Sequence, residues 1–141
     1  MPSLFSNAIL IDTSAVIALS NPEDRYYNDA KCFFESSEDI LWVVLNCTKH
    51  ETYTRARYDF DYSRAIFLYD MLSCNTFHQI FFNSEDEKEA RSLLERYSDH
   101  DLSFHDALCV SVMKKFGIYR AFSFDRHFYI FGFEVFPGGT Y

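Results

Sequence analysis

The sequence has little of what a hinged or multi-part chain needs. Of its 141 residues only 4 are glycine and 3 are proline, which excludes long flexible linkers and low-complexity arms. No apolar run approaches the ~18 residues of a membrane-spanning helix. The early run from Ala8 to Leu19 is broken by Asp12-Thr13-Ser14 and has no basic stretch before it, so it reads neither as a span nor as a signal peptide. Cys32, Cys47, Cys74 and Cys109 form no CxxC pair. That argues against a zinc site, and the thiols read as small buried hydrophobes in a reducing compartment. GxGxxG, GxxxxGK[ST], GxSxG and HExxH are all absent, which removes dinucleotide, P-loop, serine-hydrolase and zincin chemistry. Positive charge is scarce as well. With 13 Lys and Arg against 21 Asp and Glu, the formal net charge is -8. Such a chain is a poor general binder of phosphate backbones unless a local basic patch or bound cations offset the acids.

What is present is a core. Hydrophobic residues make up 48% and aromatics 19%, with 16 Phe and 10 Tyr, ample for a packed domain. The length predicts one domain over 1–141, soluble and cytoplasmic, with no membrane partner.

The chain is organised around Ala8-Ile9-Leu10-Ile11-Asp12-Thr13-Ser14. Four apolar residues running into an acid read as a strand buried on both faces. Thr13 or Ser14 can cap the helix that follows. Asp12 would stand at the carboxyl end of the strand, where open α/β sheets bind ligands, or it satisfies the helix N-terminus. Further along, the patterns predict helices over about 23–36, 46–59, 62–73, 84–98 and 103–116, with Asn46 as a cap, a Ser84/Glu87 capping box and a Ser103/Asp106 capping box. Gly117 is the stop of the last of these helices. Strands are expected over 40–45, 76–82, 120–124 and 134–136, with a brief helix or turn over 128–133 and a turn over 137–139. Alternating strands and helices imply a three-layer α/β/α sandwich with a mainly parallel sheet.

On that map Asp12 and Asp125 each end a strand, Glu51 lies in the second turn of a helix after a strand, and Asp106 lies in a first helical turn. In a parallel sheet strand carboxyl ends and helix amino ends share one edge, so all four acids point there. Gathered carboxylates repel and raise one another's pKa. A hard divalent cation, Mg²⁺ or Mn²⁺, relieves that repulsion, can activate water and favours phosphodiester hydrolysis. His105 and His127 lie within two residues of these acids and read as surface or supporting groups rather than ligands.

Ile9-Leu10-Ile11-Asp12-Thr13-Ser14-Ala15, His50-Glu51-Thr52-Tyr53-Thr54-Arg55-Ala56-Arg57, Leu102-Ser103-Phe104-His105-Asp106-Ala107 and Phe122-Ser123-Phe124-Asp125-Arg126-His127-Phe128 resemble, in this order, the motifs of the PIN domain. Within it they look most like the VapC-type ribonuclease toxins of prokaryotic toxin–antitoxin pairs. The resemblance implies a metal-dependent endoribonuclease acting on RNA, with Asp12, Glu51, Asp106 and Asp125 as the acidic quartet around one or two Mg²⁺ or Mn²⁺ ions. It implies that Thr13 or Ser14 helps to position metal or water, and that Ser103 is the small hydroxyl before the third acid. Ser123 stands where the family usually has Thr, and the hydroxyl is kept. The resemblance also implies a homodimer and a cognate antitoxin that inserts a basic side chain among the acids. The basic rim that RNA needs would come from Lys49, Arg55, Arg57, Lys114, Lys115, Arg120 and Arg126, with Arg126 foremost because it adjoins Asp125. For most of the others an ordinary solvated charge is the simpler reading. The rival readings are a catalytically silent PIN-like module that binds RNA or protein, a phosphotransfer domain with Asp12 as acceptor, and a structure-specific DNA nuclease. The phosphotransfer reading lacks an acid two residues after Asp12, where Ser14 stands. The DNA-nuclease reading lacks the long helical insertions.

Overall fold

The computed structural model describes residues 4–138. Its strands are β1 (Ala8–Ile11), β2 (Leu41–Leu45), β3 (Phe77–Ile80), β4 (Arg120–Phe122) and β5 (Glu134–Phe136). They form one sheet in the order β3-β2-β1-β4-β5, and every neighbouring pair is parallel. The helices are α1 (Thr13–Ser20), α2 (Tyr27–Ser36), α3 (Asn46–Asp59), α4 (Tyr62–Leu72), α5 (Ser84–Arg96) and α6 (Phe104–Phe116), with a 3₁₀ segment at Arg126–Phe131.

The three layers follow from the pleat, because successive side chains leave a strand on opposite faces. Ala8 and Leu10 of β1, with Val43 and Leu45 of β2, pack with Ala90 and Leu93 of α5 and the buried residues of α6. Ile9, Ile11, Trp42 and Val44 take the other face, against α1 to α4. β1 is buried along its whole length, as the apolar run predicted. Much of the aromatic surplus sits in the second layer. Phe33 lies 5.0 Å from Phe122 and 5.2 Å from Phe136, and Phe34 lies 4.9 Å from Trp42. No described helix is long and apolar enough to cross a membrane.

Most departures from the sequence reading are local competitions for amides. Asp12 itself caps α1, in place of Thr13 or Ser14. Leu45 takes the cap position of α3, and the Asn46 side chain instead accepts from Phe82 N at 3.4 Å. The α5 box is Asn83/Asp86: Asn83 Oδ1 accepts from Asp86 N at 3.0 Å, and Asp86 Oδ2 accepts from Asn83 N at 2.8 Å. Asn caps as well as Ser does, and Asp86 is further held by Lys115 at 3.3 Å. The second helix begins at Tyr27 rather than 23, because Asp24 turns its side chain onto Tyr26 N at 2.8 Å. The Ser103/Asp106 box forms as expected. Gly117 ends α6 with φ of 70°, and Ile118 N closes back on Met113 O at 2.8 Å. All four thiols are free, but only Cys109 is buried; Cys47 is half-buried and Cys32 and Cys74 are exposed. Cys32 lies on α2, whose one fully buried residue is Ala30. Gly139 of the expected 137–139 turn lies outside the described residues.

Candidate active site

The chain lays β2 and β3 on one side of β1, then returns to lay β4 and β5 on the other. The order therefore reverses between β1 and β4, and the crevice at the carboxyl ends of such a pair is where open α/β sheets place their sites. Asp12 follows β1 there, and Asp125 follows β4.

Asp12 is 3% exposed. Its Oδ2 accepts from Ser14 Oγ at 2.8 Å and Ser123 Oγ at 3.0 Å, while no described group donates to Oδ1. The same two hydroxyls tie down the neighbouring loop. Phe124 N donates to Ser14 Oγ at 2.9 Å, and Asp125 N donates to Ser123 Oγ at 2.9 Å. Those bonds also explain why β4 stops at Phe122 rather than 124, since side chains have taken the next amides. Burial pushes the Asp12 carboxyl above its ordinary pKa, against the pull of His105 and the serine hydroxyls, and Asp106 raises it further.

Asp106 is also buried. Ser103 Oγ accepts from its backbone N at 3.0 Å, and its Oδ2 accepts from Ser103 N at 3.1 Å. His127 Nδ1 stands 3.0 Å from Asp106 Oδ2 and 3.0 Å from Asp125 Oδ1, so one imidazole clamps two carboxylates. Asp125 Oδ1 also accepts from His127 N at 3.0 Å. One atom each from Asp12, His105 and Asp106 lie within 4.8 Å of one another, as do atoms from Asp106, Asp125 and His127. Asp106 is shared, so the two groups adjoin.

Glu51 belongs to neither group but touches a member of the first. Its Oε2 lies 2.7 Å from His105 Nδ1, and His105 Nε2 meets Thr48 Oγ1 at 2.8 Å. Burial raises the Glu51 pKa, but contacts with His105, Arg55 and Thr13 outweigh it and hold the carboxyl below its ordinary value. Burial opposes charge on His105, yet its pKa is raised. Cys109 touches this imidazole, but its own pKa is pushed up to about 11, chiefly by burial. Contacts with Cys109, Cys47 and Glu51 favour the charged ring, and of these Glu51 is the carboxylate. Thr13 is buried beneath this pair, with Thr52 Oγ1 at 3.5 Å. Arg126 is exposed and lines, with Ser14, Phe124, Asp125 and His127, an open cavity of about 550 Å³.

The structure thus brings Asp12, Asp106, Asp125, Ser14 and Ser123 into direct contact or close range. It links Ser103 through its capping box and Glu51 through His105. The sequence reading left both histidines at the margin, whereas each joins elements of the site. Their spacing beside Asp106 and Asp125 was the visible signal; which acids they would touch was not.

A sequence model of the PIN domain family matches residues 9–134. A Mycobacterium tuberculosis protein named 23S rRNA-specific endonuclease VapC20 is 29% identical over 130 residues, covering 92% of this chain and 98% of that protein. The crystal structure of VapC20, described as a sarcin–ricin loop cleaving toxin, superposes with a TM-score of 0.84 at 27% identity, over 89% of this chain and 95% of that one. A toxin–antitoxin complex from Klebsiella pneumoniae shares the fold with a TM-score of 0.61 at 17% identity, over 86% of this chain and 89% of that one.

Proposed function

The chain belongs to the PIN domain family, and on that premise we propose that it is a metal-dependent endoribonuclease of the VapC toxin type, hydrolysing RNA phosphodiester bonds. One observation carries the reading. Carboxylates from three separate elements meet at the β1/β4 crevice, each with one oxygen fixed by hydrogen bonds or His127 and the other without a donor among the described residues.

The donor set fits a hard divalent cation. It is rich in carboxylate oxygen, which Mg²⁺ and Mn²⁺ prefer, and the raised pKa of Asp12 marks negative charge that its surroundings leave under-compensated. Asp12, Asp106 and Asp125 would hold the ion. When bound, such an ion polarises a phosphoryl oxygen and makes water a better nucleophile at neutral pH. The protein supplies the rest. Ser14 and Ser123 fix the Asp12 carboxylate, His127 keeps Asp106 and Asp125 together, and Ser103 anchors Asp106 on the first turn of α6. Arg126, on the wall of the cavity beside Asp125, is placed to meet a backbone phosphate. Glu51, held ionised by His105 at the margin, would orient a water rather than take its proton, because a lowered pKa makes it a weak base.

The name of the Mycobacterium tuberculosis relative makes 23S rRNA, and its sarcin–ricin loop, the first substrate to try. A cytoplasmic site of action goes with that substrate. A cognate antitoxin is the expected protein partner, since an acidic cleft suits an inserted basic side chain, and a homodimer is the expected assembly. The test is cleavage of ribosomal RNA with Mg²⁺ or Mn²⁺, with EDTA, and with Asp12→Asn. Cleavage that needs the metal and vanishes in the variant supports the reading. RNA cleavage that Asp12→Asn leaves unchanged would sink it, and a protein that binds Mn²⁺ but cuts no RNA would be a silent PIN-like module.

A further inference from the structure

Lys49 reads in the sequence as one of seven candidates for a basic rim, most of them more simply solvated charges, yet it is only 7% exposed. Its Nζ donates to Ser73 Oγ at 3.3 Å, lies 5.4 Å from the Tyr69 ring centre and 5.8 Å from that of Phe81. No carboxylate stands within ion-pair distance of it among the described residues. A buried ammonium with one hydroxyl acceptor and two ring faces is under-compensated, and its remaining N–H bonds have no oxygen acceptor there.

Its place gives that charge a use. Lys49 is in the first turn of α3, after β2, and Phe81 directly follows β3. Both therefore stand at the sheet edge that carries Asp12 and Asp125, with Glu51 two residues along the same helix. Phe81 is 67% exposed. On the other side of Lys49, the Tyr69 ring stacks with His50 at 6.3 Å and 9°. It helps to line an open pocket of about 290 Å³ between α3 and α4, with His50, Tyr53, Thr54 and Ile66. One exposed ring, that of Phe81, and the pocket that Tyr69 edges thus flank one unpaired cation.

We propose that Phe81, Lys49 and Tyr69 form a second RNA-contacting subsite at the same sheet edge as the acids, on the far side of β2 from the β1/β4 crevice. One unstacked base lies on Phe81, a neighbouring base enters the Tyr69 pocket, and the phosphate between them takes the free N–H bonds of Lys49. A single-stranded polynucleotide offers this alternation of flat ring and anion, whereas a purely apolar protein partner would bury the ammonium still without an anion. The inference rests on the endoribonuclease reading and adds the subsite that grips the strand.

The test is equilibrium binding of fluorescein-labelled single-stranded polyuridylate, followed by anisotropy across a salt series with EDTA present to stop cleavage. Wild type is compared with Phe81→Ala, Phe81→Trp and Lys49→Met. Phe81→Ala is expected to bind about 10-fold more weakly with an unchanged salt slope, and Phe81→Trp to retain affinity. Lys49→Met is expected to lower the slope of log affinity against log salt by about 0.7, the share of one phosphate contact on a single strand. A merely structural role would not move that slope. Should Lys49→Met fail to fold, the exposed Phe81 pair still decides the matter. Wild-type affinity and slope in Phe81→Ala would overturn the subsite. So would a shift of Phe81→Ala to a smaller sedimenting species with RNA affinity intact, which would assign the surface to a second copy of the chain. If the wild type does not bind polyuridylate, the subsite falls, while the endoribonuclease reading still stands or falls on metal-dependent cleavage of ribosomal RNA.

Discussion

Removing the Ser123 hydroxyl should separate the two acids of the crevice without removing either. Ser123 is wholly buried. Its Oγ donates to Asp12 Oδ2 at 3.0 Å and accepts from Asp125 N at 2.9 Å. A hydrogen bond to a charged group contributes roughly 1.5–3 kcal/mol and a neutral one about 1 kcal/mol. Ser14 still donates to Asp12 Oδ2 at 2.8 Å, which softens the first loss, whereas Asp125 N is left without its acceptor. Ser123→Ala should therefore cost about 2 kcal/mol of stability, a fall in Tm of about 6 °C for a domain of this size. Asp12, with one donor fewer, shifts further toward its protonated form, and the Asp125 loop loosens. RNA cleavage should drop roughly 10- to 100-fold, a factor of ten for each 1.4 kcal/mol withdrawn from the transition state. Ser123→Thr keeps both bonds and adds a methyl group to a filled site, so it should retain activity while costing about 1 kcal/mol in packing. The assay is metal-dependent cleavage with thermal unfolding in parallel, repeated in a cycle with Asp12→Asn, where the effect of Ser123→Ala on ion affinity should shrink. Wild-type cleavage by Ser123→Ala, or an undiminished effect in the Asp12→Asn background, would refute the claim that Ser123 works by fixing Asp12.

Asp12→Asn should raise the thermal stability of the metal-free protein at neutral pH by about 1 kcal/mol, because it removes a buried charge whose pKa is raised by burial and by Asp106. A raised carboxyl pKa penalises the fold above that pKa and relieves it as pH falls. The Tm gap between variant and wild type should thus close on acidification, and a gap that widens would contradict the assignment. Ser103→Ala should cost about 1 kcal/mol through the lost α6 cap and lower activity by freeing Asp106; unfolding and cleavage rates check both. Gly117→Ala should cost about 1 kcal/mol, since φ is 70° there, and leave cleavage untouched, because Gly117 is exposed at the end of α6 opposite Asp106.

Which parts of this design could be read from the chain depends on the range of the forces involved. An apolar run ending in an acid is a local pattern, and it located β1, β4, Asp12 and Asp125 because a strand buried on both faces must be apolar throughout. Parallel connectivity then sends strand ends and helix starts to one edge, so the presence of all four acids at that edge followed from element order alone. Sheet order did not. That β4 lies beside β1 is a tertiary choice, and it alone makes Asp125 a neighbour of Asp12 rather than an acid two strands away. The same choice explains the odd member. Glu51 sits on α3, behind β2, one strand removed from the crevice, and it reaches the others only through His105, which touches Glu51 at 2.7 Å and has a ring nitrogen within 4.8 Å of Asp12 and Asp106. A histidine beside a motif acid is common on any surface; its value here comes from the gap it spans. Lys49 obeys the same rule, since only the packing of α3 on α4 and the turn at Phe81 bury it. Where a residue's role depends on its own neighbours in the chain, composition and spacing reveal it. Where the role is to span a distance that the sheet order creates, the distance must be seen first.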